Sequence, residues 1–143
     1  MFLKKNKVVI FLLLSGFSLV ILIFYLQDLK KNELEIELKK VLIKDVRIGV
    51  GKSKGKFGTA IFGEISNNGN QIIKIATLKV FFLSESGEVI KEKKFFPVNN
   101  FSFSNASPLG PSQSREFGFA VDDIVPENWS GKISTKLVDL KFK

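Results

Sequence analysis

The stretch VDDIVPENWSGK, residues 121–132, brings three carboxylates, the sole tryptophan and a glycine within a dozen positions. Asp122, Asp123 and Glu127 are the right ligand type for Ca²⁺, a hard cation that takes roughly six to eight oxygens. Their spacing fits no EF-hand loop, and Pro126 and Gly131 read as turn punctuation. Trp129 offers an aromatic face on which a sugar or peptide could stack, which makes it a candidate partner contact. The plainer use of a lone tryptophan in such a loop is to cap a core, its N–H on a backbone carbonyl. The two aspartates would then turn the chain between the last two strands. Architecture is the favoured reading, and neither a metal nor a cofactor is expected.

A second candidate is GVGKSKGK, residues 49–56, where Gly51-Lys52-Ser53 imitates the end of a phosphate-binding loop. The full pattern needs a glycine where Val46 stands and a strand leading into a helix, whereas here a strand leads into another strand. The three lysines Lys52, Lys54 and Lys56 have a simpler use as contacts for acidic lipid headgroups, if the loop faces a bilayer. A solvated turn is the plainer alternative.

The chain contains no cysteine and no histidine. Disulfides, thiolate zinc sites and cysteine nucleophiles are therefore excluded, along with the commonest general base and metal ligand. No Ser/Lys or paired-carboxylate spacing rises above chance, so the expectation is a non-enzyme. The net charge of +8 and the 15 phenylalanines suggest nucleic acid at first sight. Most of those phenylalanines fall at alternating, core-facing positions, so no nucleic-acid partner is expected.

What must position these residues begins with VVIFLLLSGFSLVILIFYL, residues 8–26, which carries no charge. At 1.5 Å per residue such a helix reaches roughly 28 Å, close to the hydrocarbon thickness of a bilayer. Small residues suited to signal cleavage do not follow it, so the segment is expected to stay as a single-pass signal-anchor through the lipid bilayer. Lys4, Lys5 and Lys7 precede it, and Lys30, Lys31, Lys39 and Lys40 follow it. A short basic tail is hard to translocate, whereas long domains cross regardless of charge. The expected location is the inner or plasma membrane, with the C-terminal domain extracytoplasmic.

Three regions result: residues 1–26 as tail and anchor, 27–40 as a juxtamembrane connector, and 41–143 as the folded domain. The connector is rich in helix formers, and Glu35 to Lys39 is a well-oriented i,i+4 pair. ELEIEL within it also alternates strictly, which is the strand period, but the expected form is a helix that continues the anchor to about Lys40, with a first strand from about Val41. Leu34, Leu38, Val41 and Leu42 would form an apolar stripe that admits a homodimer, although barely two heptads carry it.

From Val41 onward, short β-branched and aromatic runs alternate with turn chemistry. Phe57, Thr59, Ile61, Gly63 and Ile65 share one side, and the NNGN turn at 67–70 predicts a hairpin. Ala76, Leu78, Val80 and Phe82 share a face of the next strand, and SESGE predicts a second hairpin into VIKEKK. After an Asn/Ser/Pro loop at 98–114, Phe117, Phe119 and Val121 alternate, as do Leu140 and Phe142 in the last run. Six or seven strands in about 100 residues fit an all-β, immunoglobulin-like antiparallel β-sandwich preceded by one N-terminal transmembrane α-helix.

FFLSESG at 81–87, preceded by Gly63, Ile65 and Asn67 in a Gly-x-Ile-x-Asn element, resembles the FxLYD family. These are small bacterial and archaeal immunoglobulin-like domains, often tethered behind one transmembrane helix. Phe81 and Leu83 match the motif, while Ser84 stands for its tyrosine and Glu85 for its aspartate. Pro97, Leu109, Gly110 and Phe117 are similar to its later part. The resemblance covers roughly residues 55–143 and consists of turn and core positions; no catalytic residue carries over.

The function expected is a membrane-anchored binding or scaffold module of the cell envelope that contacts another envelope protein. Exposed edges such as VIKEKK suit strand addition. Phe101 and Phe103, aromatic residues in the polar 98–114 loop, join Trp129 as candidate partner contacts. The alternative is a lipid- or membrane-surface-binding module using the 52–56 loop or a pocket between the sheets.

Overall fold

Alternation of apolar and polar residues becomes six strands after one helix: α1 (Phe2–Leu38), β1 (Val41–Ser53), β2 (Lys56–Asn67), β3 (Ile73–Leu83), β4 (Val89–Val98), β5 (Ser114–Ala120) and β6 (Lys132–Phe142). The computed structural model describes residues 2–53, 55–99 and 107–143, and among these the side chains from residue 18 onward, Ser53 excepted. The chain divides into two units, Met1–Ile36 and Glu37–Lys143.

In the first unit, Leu19 to Leu26 are eight consecutive large apolar residues, all of them exposed. No helix among the described residues is long and apolar enough to cross a membrane. The described side chains of α1 begin at Ser18 and run into the charged stretch 28–37, while those of residues 8–17 lie outside the described set.

The helix stops at Leu38 because the Lys40 N–H turns back to the Glu37 carbonyl, 3.0 Å away. Lys40 also ion-pairs with Glu37 at 2.6 Å. The strand period that ELEIEL shares with helix formers is not used: residues 33–38 stay helical, continuous with the run before them. Val41 then begins β1, so the stripe of Leu34, Leu38, Val41 and Leu42 is divided between a helix and a strand.

The second unit is a β-sandwich of two three-stranded antiparallel sheets, β1-β2-β5 and β4-β3-β6. Its centre is β3, whose Ala76, Leu78, Val80 and Phe82 have no exposure at all. Ile61 and Ile65 of β2, Phe117 of β5 and Leu140 of β6 pack against them from their own alternating positions. The inward parity of Phe57 does not bury it: it is 76% exposed, because the β1-β2 hairpin overhangs the core.

SESGE makes the expected hairpin between β3 and β4, with Gly87 at φ 84°. NNGN does not make one. β2 and β3 lie in different sheets, so this turn is a corner that carries the chain across the sandwich. The cause is Asn67, which faces the core at 1% exposure instead of sitting at a solvated loop tip. Its Nδ2 donates to the carbonyls of Gln71 (2.8 Å), Leu109 (3.1 Å) and Gly110 (3.1 Å), and its Oδ1 accepts from the Gly69 N–H. Backbone bonds from Asn67 to Gln113 and from Ser112 to Asn67 bind the corner to the segment before β5.

Candidate functional site

β1 runs from Val41 to the hairpin it makes with β2, so the sandwich has an arrival end at Val41 and a distal end where Ser53 pairs with Lys56. The strand has 13 residues, about 43 Å at roughly 3.3 Å each. The distal end holds both sequence-nominated clusters, the lysine hairpin and the 121–132 loop.

In that loop the Trp129 indole N–H donates to the Lys132 carbonyl at 2.7 Å. The ring meets Phe82 edge-on, with centroids 5.6 Å apart. Trp129 is half-buried and closes the core over Phe82 while its polar atom is satisfied locally. Ser130 continues the seal: its N–H and its hydroxyl both donate to the Leu83 carbonyl.

Asp122 has a separate task. Its Oδ1 accepts from the Thr59 N–H at 2.7 Å, and the Val121 N–H donates to the Thr59 carbonyl at 2.9 Å. These two bonds clamp the start of β2 to the end of β5. A Cβ on Gly58 would lie 2.0 Å from Asp122 Oδ2, so glycine is required for the carboxylate to reach its partner. Asp123 and Glu127 are exposed. Among the described residues no group of three acidic side chains is placed to hold a metal ion.

Lys52 and Lys56 are exposed on the hairpin, and the Lys52 ammonium lies 5.6 Å from the centre of the Phe57 ring. They line one rim of an open groove of about 690 Å³, whose other rim includes Asp122 and Asp123. Its floor is the outer face of β1-β2-β5: Gly51, Gly58, Ala60, Gly118 and Ala120, with Phe62 as a wall. Gly51 thus serves packing, since a Cβ there would stand 3.2 Å from the Phe62 ring and 3.0 Å from the Ala60 Cβ. Arg47 covers Phe62, its guanidinium 5.6 Å from the ring centre. Sequence reasoning missed this groove; its signal was the small residues at outward positions 49, 51, 58 and 60. A smaller pocket, about 130 Å³, is lined by Asp45, Arg47, Glu64 and Glu116 on the same outer face. Neither pocket lies between the sheets.

The structure therefore brings Lys52, Lys56, Asp122 and Asp123 to one groove and uses Trp129 as a cap over Phe82. Lys54, Phe101 and Phe103 lie outside the described residues. No family model matches the chain, and no curated protein or solved structure matches it significantly.

Proposed function

We propose that the chain is a membrane-anchored, non-enzymatic binding module of the cell envelope. In this reading α1 holds it in the inner or plasma membrane, and the sandwich contacts another envelope protein outside the cytoplasm. The observation that carries the reading is the eight-residue run Leu19–Leu26, exposed on every face of its helix. A helix that is apolar all round is stable only when buried in protein or in lipid. Fifteen Leu, Ile, Val or Phe within residues 8–26 contribute about −0.3 to −0.6 kcal/mol each to insertion.

The strand orders support the finer description of the domain. β1-β2-β5 and β4-β3-β6 would correspond to the A-B-E and C′-C-F strands of an immunoglobulin-like sandwich, and the FxLYD resemblance points the same way. Binding sites on such a scaffold lie in edges and loops, where side chains can vary without disturbing the core.

The test uses the absence of native cysteine. A Ser86→Cys chain, altered only at an exposed hairpin tip, is expected to remain with membranes after alkaline washing. It is also expected to react with a membrane-impermeant maleimide in intact cells. Release by the wash would overturn the anchor, and protection from the reagent would overturn the extracytoplasmic placement. A photoreactive residue at Phe57 is then expected to yield protein adducts.

The lipid-surface reading has its own observation: Val50 and Phe57, each 76% exposed, stand beside Lys52 and Lys56. Apolar and cationic side chains together suit an anionic membrane interface. The hairpin nevertheless lies at the opposite end of β1 from the junction with α1. Lipid adducts at Phe57 without protein adducts would favour this reading.

A further inference from the structure

The two flanks of the sandwich are finished differently. On one, Phe95 of β4 stacks on Phe119 of β5 at 4.7 Å, and Phe119 on Phe117 at 5.3 Å, so aromatic rings bridge the sheets. The strand orders then place β1 and β6 together on the other flank, as free edges of different sheets. There Ile48 and Val50 of β1 have inward parity, opposite Ile61 and Thr59, but Ile48 is only half-buried and Val50 is exposed. Ile133 and Leu137 of β6 pair with the fully buried Phe82 and Leu78, yet they too are half-buried. The seam is closed at the arrival end by Val41 and Leu140, each 6% exposed, and opens toward the distal end.

The edge of β6 is regular where the seam is open. Its pairing with β3 runs from Lys132 to Leu137 without a register shift. At its start the Leu83 carbonyl accepts from the Ser130 N–H and hydroxyl, while the next residue, Ser84, donates its N–H to Glu88 beside β4, so the backbone groups of Leu83 face β6. In an antiparallel ladder the facing alternates residue by residue, so Phe81 and Lys79 face their partners Ser134 and Lys136, and the N–H and C=O of Ile133, Thr135 and Leu137 are directed to the free edge. No described strand takes them. Charge defines what suits this edge: the outward positions of β6 along it are Lys132, Ser134 and Lys136, with no acid before Asp139.

We propose that the β6 edge from Lys132 to Leu137 receives an extended partner segment alternating apolar and acidic residues, which completes the sandwich as a seventh strand. The apolar residues of that segment enter the seam against Ile133, Leu137 and Ile48. Its acids stand on the outer face beside Lys132 and Lys136, where opposite charges across neighbouring strands attract. Backbone bonds to the edge supply affinity and the alternation supplies selectivity. The inference rests on the binding-module reading and gives that reading a surface and a ligand chemistry.

The full chain in detergent micelles is titrated into a labelled ten-residue peptide alternating Glu and Val, with fluorescence anisotropy as the readout. Binding is expected, about tenfold weaker for a Lys/Val peptide and for K132E/K136E, because two attractive cross-strand pairs become repulsive. The same charge change on the other edge of this sheet, K91E/K93E, is expected to leave binding intact. A Glu/Val peptide N-methylated at alternate residues is expected not to bind. Equal binding of the methylated peptide, equal loss in K91E/K93E, or no loss in K132E/K136E would each overturn the proposal. So would a wild-type dimer that K136E converts to monomer, since the occupant would then be a second copy. If the peptide arms fail while Phe57 still yields protein adducts in membranes, the seam falls and the binding-module reading stands.

Discussion

The two ends of the sandwich solve the same problem with opposite materials. At the arrival end a buried amide, Asn67, ties three carbonyls and a backbone N–H into one corner, and the chain changes sheets around it. At the distal end an aromatic lid, Trp129 over Phe82, closes the core and spends its one polar atom on the carbonyl three residues ahead. A polar keystone depends on every bond at once, because removing it strands its partners in a dry site. A lid at the solvent boundary loses contact area, and water satisfies whatever it leaves behind. The arrival end should therefore be brittle and the distal end tolerant, which is where a variable binding surface is best placed.

The largest effect should come from the keystone. Asn67→Ala removes donors to the carbonyls of Gln71, Leu109 and Gly110 and is expected to cost about 3 kcal/mol. Asn67→Asp should cost more, since a carboxylate would face three carbonyl oxygens. Urea unfolding of the full chain in detergent, followed by Trp129 fluorescence, measures both. A loss below about 1 kcal/mol for Asn67→Ala would show that the corner holds without its side chain.

Next comes the lid. Trp129→Ala is expected to cost about 2 kcal/mol, below the value for a fully buried aromatic because the ring is half-exposed. Trp129→Phe keeps the edge-on contact with Phe82 and loses only the bond to Lys132, so about 1 kcal/mol should suffice. Far-ultraviolet circular dichroism follows these variants, which lack the fluorophore. If Phe and Ala substitutions cost the same, the hydrogen bond and not the ring seals this end.

What the sequence made legible divides along the same line between local and distant causes. The inward faces of β2, β3, β5 and β6 were readable from alternation, since Ile61, Leu78, Phe82 and Leu140 each recur at the strand period and are buried. The Trp129 cap was readable too, because its acceptor lies three residues away. The corner at Asn67 was misread as a hairpin. NNGN carries the local signature of one, while its actual partners at Leu109 and Gly110 lie 42 and 43 residues away. Of the site, Lys52, Lys56 and Asp122 were named from their types alone. Their meeting at one groove depends on β2 pairing with both β1 and β5, which no local pattern encodes.

The smallest effect concerns a contact equally hidden from sequence, between Gly58 and Asp122, and it tests how tolerant the distal end is. Asp122→Ala removes an exposed bond to the Thr59 N–H, and water can replace it, so about 1 kcal/mol is expected. Gly58→Ala should cost a similar amount by a different route, since its Cβ would displace the carboxylate that would otherwise lie 2.0 Å away. Both changes break the same bond, so the double variant should cost about as much as either alone. That non-additivity is the signature of shared contact. Additive losses would mean that Gly58 is needed for the groove floor itself, independently of the clamp. The distal end would then be built as tightly as the arrival end, and the contrast between them would fail.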